Sequence, residues 1–305
     1  MMIKNARTLD FPLISNGYPI AATQQDTGWL EPTKPAAPLA QLHKRYQEHG
    51  YLWLKGILDR EAVMAFRSRF FEAFRSTGLL AEESDPVEGL DSGQEVDREQ
   101  VHRIWMEAVR WPEYEAFCYS PQIVRFYESF LGGDIQLLKR KIIRYTRPGD
   151  IHCTPGHYDL IYLRAGTDHV YSSWIPLGDI PVEMGGLVYL EHSDTLGRQM
   201  EAEFSKLNAS LSYEERISAY NKNMTEGGWV GKDLAALATK IGGRWLLADY
   251  EAGDMVVHSP YMIHGSTENR DPLGRMRLST DIRYQRQSDL SDPRWNNHYY
   301  VGDKL

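Results

Sequence analysis

Two histidines and an aspartate set the tightest constraint on how this chain folds. His157-Tyr158-Asp159 puts an imidazole and a carboxylate two positions apart, and His264 follows far downstream. Side chains two apart on a strand share a face, so this pair can grip one ion from one side. A second imidazole from a distant strand would complete a three-point cap. Two imidazoles and one carboxylate, with the other positions open, form the ligand set of non-haem Fe(II) oxygenases. A fold that uses them must bring the segments around 157 and 264 side by side. Arg275 then offers a fixed, always-charged fork for the carboxylate of a co-substrate. Arg277, on the same strand face, and Arg270 compete for that role.

The texture of the chain changes along its length. Residues 1–35 show no periodicity and read as an irregular N-terminal arm. A helix is predicted from Leu39 to His49, then a buried strand between Gly50 and Gly56. Asp59 is placed to cap a helix whose Val63, Met64, Phe66, Phe70, Phe71 and Phe74 recur at helical spacing and read as core. The acidic stretch 80–97 reads as a solvated loop. Helices are predicted over 98–110 and 112–131, the second ended by Gly132-Gly133. Strands follow at 135–145, 157–164, 169–177, 185–191, 244–250, 254–258 and 276–285. A charged helical insertion at about 198–240 interrupts them, and Gly227-Gly228-Trp229 within it looks lid-like. Helices first and about eight strands after suggest one α+β domain over 1–305. Its core would be a double-stranded β-helix, a cupin-like jelly roll, flanked by the N-terminal helices.

Composition narrows the function. The formal charge is -8, which argues against broad nucleic-acid binding, since that needs a basic footprint. With 8 Trp, 18 Tyr and 9 Phe, an aromatic-lined pocket is within reach. No apolar run is long enough to span a bilayer, and Met1-Met2-Ile3-Lys4-Asn5 opens no signal peptide. The expectation is a soluble, cytoplasmic protein with a small-molecule partner and no membrane or nucleic-acid partner; self-association is left open. Cys118 and Cys153 are too few for a disulfide framework. Cys153, four residues before His157, reads as a small residue near the site rather than a ligand. His152, His169, His192 and His258 read as satisfied polar or core residues.

The motifs together resemble the phytanoyl-CoA dioxygenase family of Fe(II)/2-oxoglutarate dioxygenases. Gly50-Tyr51-Leu52-Trp53-Leu54-Lys55-Gly56-Ile57-Leu58 looks like the strand that enters the family's first helix, and Gly156-His157-Tyr158-Asp159 like its iron motif. Trp174-Ile175-Pro176-Leu177-Gly178-Asp179 and Gly185-Gly186-Leu187-Val188-Tyr189-Leu190 look like the next two segments. His264-Gly265-Ser266, with Asn269 and Arg275, looks like the closing motif. The likeness runs from about residue 40 to 285. It implies Fe(II) on His157, Asp159 and His264, 2-oxoglutarate anchored by Arg275, and O2 as oxidant. Ser266 and Thr154 become candidate hydroxyl contacts to the co-substrate.

Two places depart from the family. Leu190-Glu191-His192-Ser193 replaces the usual Pro-Gly-Ser-His, at a turn rather than a ligand. Thr154 and Pro155 stand where relatives often carry a co-substrate-binding Gln. Related halogenases lack the carboxylate supplied here by Asp159, so oxygen chemistry is implied: hydroxylation, desaturation or ring formation. The resemblance thus implies oxidation of an unactivated C–H bond in a natural-product or amino-acid-like molecule, with release of succinate and CO2. The competing readings are an acyl-CoA hydroxylase of the same family and a non-catalytic jelly-roll protein that binds a ligand or metal.

Overall fold

Capping residues set the borders of the N-terminal helices in the computed structural model, which describes residues 9–224, 226–302 and 305. The Leu39–His49 helix ends at Gly50, whose φ of 75° is left-handed and whose amide closes on the Tyr46 carbonyl at 2.8 Å. A side chain at that φ would be strained, so glycine ends the helix and starts the strand. Asp59 caps the Arg60–Ala73 helix by accepting from the Glu61 amide. The expected 112–131 helix is two helices, Pro112–Cys118 and Pro121–Leu131. Pro121 forces Ser120 into an extended conformation and breaks the run.

The strands form two main sheets. The larger runs in the order Pro32–Thr33, Tyr51–Leu54, Met255–His258, Val170–Pro176, Arg277–Arg286, Ile135–Leu137, with Ile142–Thr146 also paired to Arg277–Arg286. The smaller runs His264–Ser266, Leu187–Leu190, Trp245–Leu247, Thr27–Trp29. Two-residue alternation then sorts side chains into layers. Tyr51, Trp53, Trp174 and Val256 of the larger sheet meet Tyr189, Leu246 and Tyr250 on the side of the smaller one. On its other face, Leu52, Leu54, Val257, Leu278 and Ile282 pack against Phe66, Phe70, Phe71 and Tyr127 of the helices. A third cluster sits outside the smaller sheet, where Val188, Leu190 and Trp245 meet Leu234 and Leu237 of the insertion. This is the jelly roll flanked by helices that the sequence predicted.

The arm differs from expectation. Residues 1–8 lie outside the described part. The rest holds a Leu13–Ser15/Tyr18–Ile20 hairpin and two short strands that extend the main sheets in parallel. Strands of two or three residues are too short to show alternation, so periodicity could not reveal them. The predicted 135–145 strand is split into Ile135–Leu137 and Ile142–Thr146. Between them, the Arg140 amide turns to the Trp295 carbonyl at 3.1 Å.

The insertion is helical as expected, over Ser193–Leu207, Tyr213–Ile217 and Leu234–Ile241. Gly197 lies mid-helix where a Cβ would fall 2.0 Å from the Tyr261 carbonyl oxygen. Helix propensity alone would make Gly197→Ala stabilising by about 1 kcal/mol. The close backbone approach reverses the sign. Urea denaturation is expected to show a loss of about 1–3 kcal/mol, and a stabilised variant would refute the close packing of this helix on the Tyr261 backbone.

Candidate metal centre

The two imidazoles are brought together by strand pairing. His157 and His264 are direct antiparallel partners, with N–H to O distances of 3.0 and 2.9 Å in the two directions and ring centroids 4.3 Å apart. Each Nδ1 lies 2.9 Å from a carbonyl two residues earlier, Pro155 O for His157 and Met262 O for His264. A carbonyl only accepts, so Nδ1 carries the proton and Nε2 presents its lone pair.

Asp159 reaches the same point by an unexpected route. The predicted 157–164 strand ends at His157, and Asp159 already has helical angles (φ -65°, ψ -29°) at the start of the Leu160–Leu163 turn. Its Oδ1 stands 3.7 Å from His157 Nε2 and 3.8 Å from His264 Nε2. These distances exceed a hydrogen bond. One donor atom from each residue lies within 4.8 Å of the others, and all three residues are buried. Three buried donors that converge without satisfying one another fit a metal ion, and two neutral imidazoles with one carboxylate fit Fe(II).

The second layer holds the aspartate. Ser172 Oγ donates to Asp159 Oδ2, Arg283 Nη2 lies 3.1 and 3.2 Å from the two oxygens, and His258 Nε2 lies 3.3 Å from Oδ2. Tyr189 Oη is 3.1 Å from His258 Nδ1 and completes the chain. Burial opposes charge on Asp159, but Arg283 and the surrounding imidazoles outweigh it and hold the carboxyl well below its ordinary range. Burial, reinforced by His157 and His258, pushes His264 well below the usual imidazole range. Asp159 and His264 are therefore in the protonation states that metal binding requires.

Sequence reading placed His258 among satisfied polar residues, which it is, but did not connect it to Asp159. Ser172 and Arg283 were missed. A signal existed for Arg283. Arg277, Ser279, Asp281, Arg283 and Gln285 alternate with Leu278, Thr280, Ile282 and Tyr284, and a buried strand with one polar row must turn that row toward a site.

The expected carboxylate anchors are placed very differently. Arg275 is bound by the Asp271 carboxylate, Nε at 2.9 Å and Nη2 at 2.7 Å, so its fork is occupied within its own loop. Arg270 is likewise paired with Glu268, at 3.0 Å. Arg277 is 5% exposed and points along the inner row. Its Nη1 donates to the Gly185 carbonyl, and its Nε has no partner among the described residues. Burial lowers its pKa to about 10, so it stays charged. Asn269 explains the loop: its side-chain amide donates to the Thr146 and Arg275 carbonyls and fixes the turn between the two candidates.

Thr154 and Ser266 meet each other. The Thr154 amide donates to Ser266 Oγ at 2.9 Å, and the Ser266 amide to the Thr154 carbonyl at 3.0 Å. They tie the segment before His157 to the strand of His264. Cys153 is a free thiol and is not in the metal-binding group. The Gly227-Gly228-Trp229 segment touches the site through Tyr162, whose hydroxyl donates to the Gly227 carbonyl at 2.9 Å and whose ring is 5.8 Å from that of His157.

Comparison with known proteins agrees with this geometry. Residues 46–276 match the family model described as Phytanoyl-CoA dioxygenase (PhyH). The chain belongs to that family. A curated relative, 1-deoxypentalenic acid 11-beta-hydroxylase of Streptomyces exfoliatus, is 26% identical over 251 residues, 80% of each chain. Among solved structures, the carbocyclase SnoK from nogalamycin biosynthesis is 19% identical with a TM-score of 0.55, covering 90% of this chain and 92% of that one. The epimerase SnoN, in complex with Fe3+, alpha ketoglutarate and nogalamycin RO, is 19% identical with a TM-score of 0.54, covering 85% and 88%. As a member of the family, the protein is an Fe(II)/2-oxoglutarate-dependent dioxygenase. No helix among the described residues is long and apolar enough to cross a membrane.

Two substitutions separate the layers of this centre. Asp159→Ala is expected to abolish tight Fe(II) binding, because it removes a ligand. His258→Ala keeps every ligand and is expected to weaken metal binding by about 10–100-fold. Calorimetry with Fe(II) under anaerobic conditions reads both, and unchanged affinity in either variant would contradict the assignment.

Proposed function

We propose that this oxygenase oxidises an unactivated C–H bond of a small natural product, and that Arg277 anchors 2-oxoglutarate. The observation that carries the anchor is a contrast in partners. Arg275 and Arg270 are neutralised by their own carboxylates, while Arg277 is buried with no ion pair among the described residues. A buried, unpaired guanidinium costs several kcal/mol, and a dicarboxylate co-substrate offsets that cost with bidentate geometry.

When bound, Fe(II) and 2-oxoglutarate supply the oxidising power, coupling loss of CO2 and formation of succinate to oxidation of the substrate. The chain's residues do the positioning. The carbonyls of Pro155 and Met262 orient the two imidazoles, and Ser172, Arg283 and His258 hold the carboxylate. Tyr162 walls the site beside His157. Asp159 occupies the place that is vacant in halogenases, which supports oxygen transfer or a related oxidation over halogenation. The Streptomyces relative's name specifies a small organic acid as substrate. That supports a small-molecule substrate in preference to an acyl-CoA, and the acidic chain lends no general attraction for CoA phosphates.

The test is anaerobic titration of 2-oxoglutarate into the Fe(II) protein, followed by its visible charge-transfer band. Arg277→Met is expected to weaken 2-oxoglutarate binding by about thirtyfold or more, the lower end of the loss for breaking a buried charge pair. Arg275→Met should change it by less than about threefold, because the Arg275 guanidinium is held by Asp271. The reverse pattern would return the anchor to Arg275, and the absence of any band in the unmodified protein would overturn the oxygenase reading.

A further inference from the structure

A second cationic group on the inner row is left over once iron and 2-oxoglutarate are accounted for. Arg283 is 5% exposed. One of its nitrogens, Nη2, is spent on Asp159, but its buried Nε and Nη1 have no partner among the described residues. Arg144 lies across the same strand pairing, opposite Ser279. Its Nε is 3.0 Å from Asp281 Oδ2, and the side chain remains 39% accessible. Arg140 adjoins both, and its pKa is lowered to about 10 by burial and then by the charge of Arg283.

The C-terminal segment closes over these cations. Trp295 is stacked by Arg283 at 4.9 Å and by Arg140 at 5.3 Å, and Tyr299 lies 5.0 Å from Arg140. The Trp295 indole and Arg294 both donate to the Tyr162 carbonyl, at 2.9 and 3.0 Å, which fixes this segment to the residue beside His157. A cleft of about 470 Å³ opens on the outer side, between Arg140, Ile217, His298 and Tyr300.

We propose that Arg283 and Arg144, roofed by Trp295, bind an anionic group of the substrate, specifically a carboxylate. Stacking on Trp295 steadies the Arg283 charge but accepts no N–H hydrogen bond in the guanidinium plane. Asp159 compensates the charge of Arg283, but the guanidinium's buried Nε and Nη1 are left without an acceptor among the described residues, which is unfavourable. Asp159 is committed to the metal and Asp281 to Arg144, which leaves Arg283 Nε and Nη1 without an acceptor among the described residues. Charged donors left open match the acceptor oxygens of a carboxylate, one from each nitrogen. Because Arg283 also touches Asp159, a carboxylate held there sits next to the metal centre. The substrate is thus an organic acid whose charged end is seated near the iron and whose apolar body meets Trp295 and Tyr162.

This inference rests on the oxygenase reading, and its test separates the two. Protein loaded with Ni(II) and 2-oxoglutarate is titrated calorimetrically with matched pairs of alicyclic carboxylic acids and their primary amides, 1-deoxypentalenic acid among them. Inorganic phosphate serves as a competitor. Acids are expected to bind about tenfold or more tightly than their amides, the value of one charged hydrogen bond or more. Arg283→Met would also disturb Asp159, so Arg144→Met is the diagnostic variant, with its 2-oxoglutarate titration as a check on folding. Loss of the acid preference in Arg144→Met supports the proposal. Equal binding of acid and amide, binding of no acid, displacement of acids by phosphate at equal concentration, or a preference retained in Arg144→Met overturns it. Failure to load Fe(II) and 2-oxoglutarate, seen as a missing charge-transfer band, would instead strike the oxygenase reading.

Discussion

The antiparallel pairing of His157 with His264 is the constraint on which the rest of the structure depends. Direct cross-strand partners project their side chains to the same side of a sheet. A one-residue slip would send one imidazole to the other face. The register is held from several directions: by Thr154 against Ser266, by Gly156 against Gly231 of the insertion, and by His264 against Tyr189 of the next strand. The segments that looked peripheral in sequence therefore fix the register of the metal site.

Asp159 is the second constraint, and its cost explains much of the inner row. An ionised carboxylate at 1% exposure is unfavourable unless paired. Ser172, His258 and Arg283 supply the pairing from three different strands. The same polar row then continues along the Arg277–Arg286 strand, which places Arg277 at one end and Arg283 at the other. One strand thus presents two cations to the interior, Arg277 donating to the Gly185 carbonyl and Arg283 to the Asp159 carboxylate.

Much of this was legible in the sequence. The metal triad, the order of helices before strands and the jelly-roll core followed from spacing, alternation and family motifs. Three kinds of feature were not. The strands of the N-terminal arm are too short to carry a period. Asp159 sits on a helical turn, although the His-x-Asp pattern suggested a continuous strand; the pattern specifies convergence on an ion, and more than one backbone path achieves it. Arg275 matched the family spacing, yet Asp271 lies four residues before it and captures its guanidinium. Spacing places a residue along the chain, but which charge finds which partner is settled by local pairing.

The central claim is that His157, Asp159 and His264 hold one ferrous ion. The most direct measurement is iron-edge X-ray absorption of the anaerobically loaded protein, with metal content measured on the same sample. The account predicts a single iron per chain with two imidazole ligands and otherwise oxygen neighbours. A sulfur neighbour from Cys153, a different number of imidazoles, or iron that survives loss of His264 would contradict it.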